Sequence, residues 1–500
     1  MNYNMETGAV ESIISAPICK RVVNCDVSED VSVPEGYSEV RRVIALRENI
    51  LSPAKFVGAR SVDFSGSVDY TLVYVGADGK LYSMPISADY SFSLPFESQN
   101  AFDADEGISV ICSLAGENSS VRISTPRRLQ LRAGIRASVV CFGRAICAEE
   151  LRGIEDTASV QRLQQSGECA HMSCESSDVV TLEDEYFIGT DSRIVYSYAN
   201  IMTGDSYIDG EVVRVSGEVI VDLAVENGDS VDNVLRKLPF DAEIDIEDFD
   251  ISGNSVLCRI GGCINELEIS VEDGKAKIEA GIVIDVCIAQ NREFSYTRDL
   301  YSTKQECSPE YKKLSAPKAL INKNANMTQT ERLFCEEVGF PSDAKIIDVW
   351  ATALFDSAEL ENGRYVFRGK IKYKVIYSAD SKIGVCDFEE PIKYESELGS
   401  EDIQSFIANA SVVNIRGRCD RENLLIESEL AMSLSAFGSE IIDTVSVASF
   451  GEAVKASKNQ FIVCFKGADE SAFDLAKRYN VSVDDISDEA EKGSFVIIER

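Results

Sequence analysis

At 500 residues the chain is too long for one hydrophobic core, so three or four domains are expected, and an apolar content of 45% excludes wholesale disorder. With 84 acidic against 49 basic residues the formal charge is −35, a surface that repels phosphate backbones and anionic headgroups and argues against nucleic-acid or electrostatic membrane binding. No apolar run approaches the ~18 residues of a spanning helix, the first residues lack a secretory signal's basic opening and apolar stretch, and the 15 cysteines are odd in number and scattered singly, as in a reducing compartment.

In chain order, a short apolar strand is expected at Arg42-Val-Ile-Ala45. An alternating strand interrupted by a glycine follows at Val62-Asp-Phe-Ser-Gly-Ser-Val-Asp-Tyr-Thr-Leu-Val-Tyr74. Then come a hydrophobic-flanked proline, Pro95-Phe96, and a strand at Leu129-Gln-Leu-Arg-Ala-Gly-Ile135. The same four landmarks recur as Ile194-Val-Tyr196, Val213 to Val225 around Gly217, Pro239-Phe240, and Lys277-Ile-Glu-Ala-Gly-Ile282. They recur again as Ile347-Asp-Val-Trp350, Tyr365 to Tyr377 around Gly369, Pro391-Ile392, and Leu425-Ile-Glu-Ser-Glu-Leu430. Gly66, Gly217 and Gly369 are 151 and 152 residues apart. Four landmarks in one order at one period predict an internal repeat.

Period-2 alternation predicts antiparallel strands with one buried face, and a glycine inside such a strand predicts a bulge or a close backbone approach. The expected fold is therefore mainly β: three tandem β-sandwich-like repeats over residues 1–150, 165–312 and 328–450. The pattern carries no information on strand order. Helical spacing of charges at 149–165 and 328–337 suggests linker helices, and the proline-punctuated stretch 309–330 reads as a linker. The acidic run Asp241-Ala-Glu-Ile-Asp-Ile-Glu-Asp-Phe-Asp250 reads as a strand with a solvated acidic face, since it lacks the glycine-centred spacing of a calcium loop.

No catalytic residue is assigned. The one histidine, His171, lies between Cys169 and Cys174, but zinc wants a second ligand pair and none is near, so this stretch reads as a loop with incidental thiols. Cys258 and Cys263 bracket Gly261-Gly262 and read as a strand with a glycine bulge rather than a redox motif. Phosphate loops, dinucleotide fingerprints and nucleophile elbows are all missing from the sequence. No metal and no cofactor are expected.

From residue 458 the character changes. Phe461 to Phe465 reads as a strand, and Asp469 can cap a helix carrying Phe473, Ala476 and Tyr479, with Asn480 as its stop. Ser482 and Asp485 read as a capping box for a second short helix, and Ser494 to Ile498 as a closing strand. This strand, helix, helix, strand order over residues 458–500 resembles a LysM domain, the matching residues being Phe461 to Phe465, Gly467 with Asp469, Leu475 to Tyr479, and Val481 to Ile486.

In LysM domains the turn at Gly467 and Asp469 lines a glycan groove. Here it is altered to Gly467-Ala-Asp-Glu-Ser471, and Asp488-Glu-Ala-Glu491 replaces the stretch after the second helix, so protein rather than glycan is the expected ligand. The expected partner-binding face is Lys477, Tyr479, Val481 and Asp484. With the repeats and Arg298-Asp-Leu-Tyr-Ser-Thr-Lys-Gln-Glu-Cys-Ser-Pro-Glu-Tyr311 included, the whole chain resembles the SPOCS-domain, SipL-like proteins of spore-coat morphogenesis. That resemblance implies a non-catalytic adaptor in the mother-cell cytoplasm, docking a coat-basement morphogenetic ATPase through its LysM-like end. The alternative is a peptidoglycan-binding LysM protein.

Overall fold

The computed structural model describes residues 12–58, 60–95, 108–228, 230–246, 255–380, 382–397, 403–454, 461–467, 470–486 and 495–499. It is mainly β, with 82% strand and 3% helix.

The first set of strands is β1 (Ser12–Ser32), β2 (Val40–Ile50), β3 (Ala54–Val57), β4 (Ser61–Gly76), β5 (Leu81–Pro95), β6 (Ser109–Thr125) and β7 (Arg128–Cys147). After β8 (Glu150–Arg152) the second set is β9 (Val160–Phe187), β10 (Arg193–Asp209), β11 (Val212–Asn227), β12 (Ser230–Asp245), β13 (Ser255–Glu272) and β14 (Lys275–Ser302). The third is β15 (Gln305–Phe334), β16 (Lys345–Glu361), β17 (Arg364–Ala379), β18 (Lys382–Ser396), β19 (Ile403–Asp420) and β20 (Asn423–Ala453). One pairing scheme recurs in all three. The opening strand pairs with the last and the last with its predecessor, as β1-β7-β6, β9-β14-β13 and β15-β20-β19. The strands between them form a meander, β10-β11-β12 and β16-β17-β18, with β2 and β3 sharing one flank of β4 and β5 on the other.

Alternation buries one face of each sheet. In β11, Val213, Val215, Val219, Val221, Leu223 and Val225 are all buried and pack on Ile278, Ala280, Ile282 and Ile284 of β14. In the acidic run, Ala242, Ile244 and Ile246 point inward while Asp241, Glu243 and Asp245 are exposed; residues 247–250 lie outside the described residues.

The glycines mark a break in the neighbouring strand. Opposite Gly217 the β10–β11 register slips between Thr203 and Ser206, and opposite Gly369 the β16–β17 register slips between Phe355 and Ser357. Opposite Gly66 the partner divides outright into β2 and β3. A Cβ on Gly217 would strike the Met202 carbonyl and the Phe240 ring, and one on Gly369 the Leu354 carbonyl. Gly369→Ala is therefore expected to cost roughly 1–3 kcal/mol through overpacking, measured as a lowered urea midpoint; an unchanged midpoint would show that the bulge can yield.

Three expectations need correction. Residues 309–330 are not a linker: they lie in β15, paired through most of their length with β20. Pro309 and Pro317 mislead because β15 is an edge strand, which tolerates proline, and Pro317 borders a register slip. The helices expected at 149–165 and 328–337 are absent, since β8, a short 3-10 turn (Thr157–Ser159) and the start of β9 occupy the first, while the second is the end of β15 and a turn. Sheet pairing overrides their weak helical spacing. The proline landmark also fails in the first set, where Tyr90, not Phe96, lies across from Gly66 in the place of Phe240 and Ile392. Phe96 lies outside the described residues.

The three sets close into a ring. Ser83 of β5 donates to the Val195 carbonyl of β10 at 2.7 Å, Asn233 of β12 to Asp348 of β16 at 2.7 Å, and Arg42 of β2 to the Ile383 carbonyl of β18. Each fourth-strand region thus meets the second strand of the next set, a heterologous contact that closes after three steps.

Candidate functional site

Two places bring together side chains with work to do beyond a single sheet: the ring's centre and the C-terminal module.

At the centre, each second strand carries a bulge near its start, and the extra residues Ile44, Val195 and Ile347 converge in one buried cluster with Val73, Ala224 and Ile376. Three positions further along stand Arg47, Tyr198 and Trp350. The Arg47 guanidinium lies 3.5 Å from the Tyr198 ring centroid, and the Trp350 indole meets Tyr198 and Tyr196 edge-on at 5.7 and 5.5 Å. Asp348 sits within this cage. It accepts from Tyr196 Oη at 2.8 Å, Trp350 Nε1 at 2.7 Å, Asn233 Nδ2 at 2.7 Å and the Val349 amide at 2.8 Å.

Burial first, then the charge of nearby Asp222, push the Asp348 carboxyl up to about 6. Beside the cage, burial lifts Glu48 to about 7 against the pull of Arg47 and Lys372. Both groups hold a proton to higher pH when folded than when unfolded, so the stability tied to that proton is complete at about pH 4 and falls as pH rises toward 7. Stability read from urea unfolding is expected to drop across that window by roughly 3 kcal/mol for each group, and Asp348→Asn to flatten part of the slope. A flat midpoint in the unaltered chain would contradict this.

Next to the cage opens a cavity of about 1030 Å³, lined from all three sets by Arg47, Glu48, Asn200, Arg259, Trp350 and Lys372 among others. Two of its cations are paired with acids: Lys372 lies 3.8 Å from Glu389, and Arg259 lies 3.8 Å from Asp285.

The C-terminal module is β21 (Phe461–Phe465), α1 (Ala472–Tyr479), a 3-10 turn (Val483–Asp485) and β22 (Phe495–Glu499). Ser471, not Asp469, caps the helix: its hydroxyl accepts from the Asp474 amide and the Asp474 carboxylate accepts from the Ser471 amide. Asn480 ends the helix in the left-handed region at φ 52°, and Ser482 with Asp485 forms a second capping box. That box opens one 3-10 turn where a second helix is expected; residues 487–494 lie outside the described residues. Cys464, Phe473, Leu475, Ala476, Val481, Ile486, Val496 and Ile498 form a core of the module's own, which Tyr301 of β14 joins from outside.

Gly467 is half-buried at the start of the turn, its amide donating to Glu470, and Asp469 lies outside the described residues. Lys477 is spent within the chain, its ammonium 2.5 and 2.7 Å from the two Asp299 oxygens. Val481 is not on an open face: it is buried, and its carbonyl accepts from Tyr301 Oη at 2.6 Å. Tyr479 is half-buried and Asp484 exposed. The Tyr301 ring meets Phe473 edge-on at 5.2 Å, and Gln161 accepts from the Val483 amide at 3.3 Å. These receptor residues were missed because each satisfies the local pattern of its own strand.

The opposite face of the module is open. Strand alternation sends Cys464 and Val496 inward and leaves Val463, Phe465 and Phe495 at 58, 52 and 75% exposure, with the two phenyl rings 5.6 Å apart.

The stretch 169–174 is not a loop but lies in β9, paired with β14. Burial lowers His171 to about 4, helped by Arg292 and Arg144, which keeps the imidazole neutral. No group of three or more metal-ligating side chains occurs among the described residues. Gly261 and Gly262 pair with Asp285 and Ile284 in register, and the bulges of β13 fall to either side of them. No described helix is long and apolar enough to cross a membrane.

No family model, no curated protein and no solved structure matches the chain.

Proposed function

We propose that this protein is a non-catalytic adaptor of spore-coat assembly in the mother-cell cytoplasm, built from three SPOCS-like repeats and a LysM-like terminal module that docks a coat-basement morphogenetic ATPase. The observation that carries the reading is the module's two-sidedness. One side is fastened to β14 through Tyr301 and Asp299, while the other presents Val463, Phe465 and Phe495 to solvent. Aromatic residues clustered on an otherwise polar surface mark protein-binding faces. The repeat reading is supported by the recurring strand scheme and by the break in the neighbouring strand opposite each marker glycine.

In this reading the ring presents the module rather than binding the ATPase itself. The docking surface is the outer face of β21 and β22, while Lys477 and Val481 hold the module in place. Fluorescent fusions in a sporulating cell test it. The full chain is expected to ring the forespore and a chain lacking residues 460–500 to disperse; a truncated chain that still rings the forespore would overturn the docking role. Co-sedimentation of the full chain with purified peptidoglycan would instead favour glycan as the module's ligand.

A further inference from the structure

The Sγ atoms of Cys335 and Cys419 lie 3.8 Å apart. Cys335 directly follows β15 and is buried; Cys419 is the penultimate residue of β19 and is half-exposed. The backbone already draws the two segments together: the Cys335 amide donates to the Glu422 carbonyl at 2.8 Å, and the Cys419 thiol lies 3.7 Å from the Ser342 carbonyl. A disulfide needs its sulfurs at about 2.05 Å, so a small side-chain shift would close the gap.

We infer that Cys335 and Cys419 form an oxidation site that closes to a disulfide when the protein meets a small disulfide or peroxide oxidant. With oxidised glutathione the half-exposed Cys419 thiolate attacks one glutathione sulfur, forming a mixed disulfide and releasing one glutathione thiolate. The Cys335 thiolate then attacks Cys419 Sγ and expels the second glutathione. Two protein thiols are oxidised and one glutathione disulfide is reduced to two thiols, the two protons lost by the cysteines ending on the glutathione sulfurs. The bond would staple the turn between β15 and β16 to the hairpin of β19 and β20, fastening one end of the third set.

A second pair provides an internal contrast. Cys19 and Cys141 face each other across β1 and β7, but both are buried in a cluster with Val62, Phe64 and Leu94. Thiol oxidation follows access as well as proximity, so this pair stays reduced under conditions that close the other. Burial and the hydrogen bond from Cys419 push the Cys335 thiol up to about 11, which makes its attack the slow step. Closure should therefore speed up as the pH rises.

The experiment treats the reduced full-length chain with oxidised glutathione, blocks the remaining thiols with N-ethylmaleimide and maps peptides by mass. The expected product is a monomer, two hydrogens lighter, whose cross-linked peptide contains Cys335 and Cys419, with Cys19 and Cys141 alkylated after denaturation. Cys335→Ser is expected to trap glutathione on Cys419, and Cys419→Ser to leave Cys335 unmodified. A lasting glutathione adduct on Cys419 beside a free Cys335 in the unaltered chain would overturn the inference, as would a dimer linked through Cys419.

Discussion

Trp350→Ala is expected to lower stability by roughly 3–5 kcal/mol, the range for removing a large buried aromatic side chain. Trp350 is the only tryptophan in the chain, and it stands where the three strand sets meet. Its loss opens a space between Tyr196 and Tyr198, withdraws one of the four hydrogen bonds to Asp348, and removes a ring wall from beside Arg47. An intermediate variant separates the contributions. Trp350→Phe keeps an apolar ring but has no N–H for Asp348, and should cost about 1–3 kcal/mol, the range for a hydrogen bond to a charged group and for leaving that group under-satisfied. Urea unfolding followed by circular dichroism measures both. If Trp350→Ala unfolds at the midpoint of the unaltered chain, the sets are not held together at this junction.

Tyr301→Ala is expected to release the terminal module from the ring. The Tyr301 side chain supplies an aromatic contact to Phe473 and a hydrogen bond to Val481, and it is the one residue of β14 in the module's core cluster. Truncating it should weaken docking by about 3 kcal/mol, a factor of a hundred or more in the docked-to-undocked ratio. Tyr301→Phe keeps the ring and should cost only about 1 kcal/mol. Amide exchange in α1 reads the difference: the alanine variant should exchange much faster there while β10 to β12 remain protected. Equal protection of α1 in both variants would mean that Lys477 with Asp299 and the Gln161 contacts suffice to hold the module.

How much of this was legible in the sequence depended on whether a feature is local. The alternation of Val213 to Val225 and the glycine at its centre are local signals, and the expected bulge lies in the neighbouring strand. The strand, cap and stop of the terminal module were similarly visible, apart from the move of the cap from Asp469 to Ser471. Stretch 309–330 was misleading because proline signals a linker and an edge strand alike, and only the pairing with β20 separates the two. The central cage was hidden for a different reason. Arg47, Tyr198 and Trp350 occupy equivalent places in their strands, yet nothing in any one strand shows that ring closure will bring them together. A buried acid in Ile347-Asp-Val-Trp350, set within an apolar strand beside the lone tryptophan, was the one available hint. The open face of the module was misplaced because helix position alone cannot show which side of α1 the ring already covers.

The most direct test of the adaptor reading is a binding measurement with purified components. The full chain, a chain lacking residues 460–500, and a Phe465→Ser/Phe495→Ser double variant would each be titrated against a purified coat-basement morphogenetic ATPase. The double variant alters side chains that are already solvated, so its module should remain folded and docked, which α1 amide exchange would verify. The account predicts binding by the full chain and a loss of at least tenfold in affinity for the other two. Equal affinity for all three would contradict it.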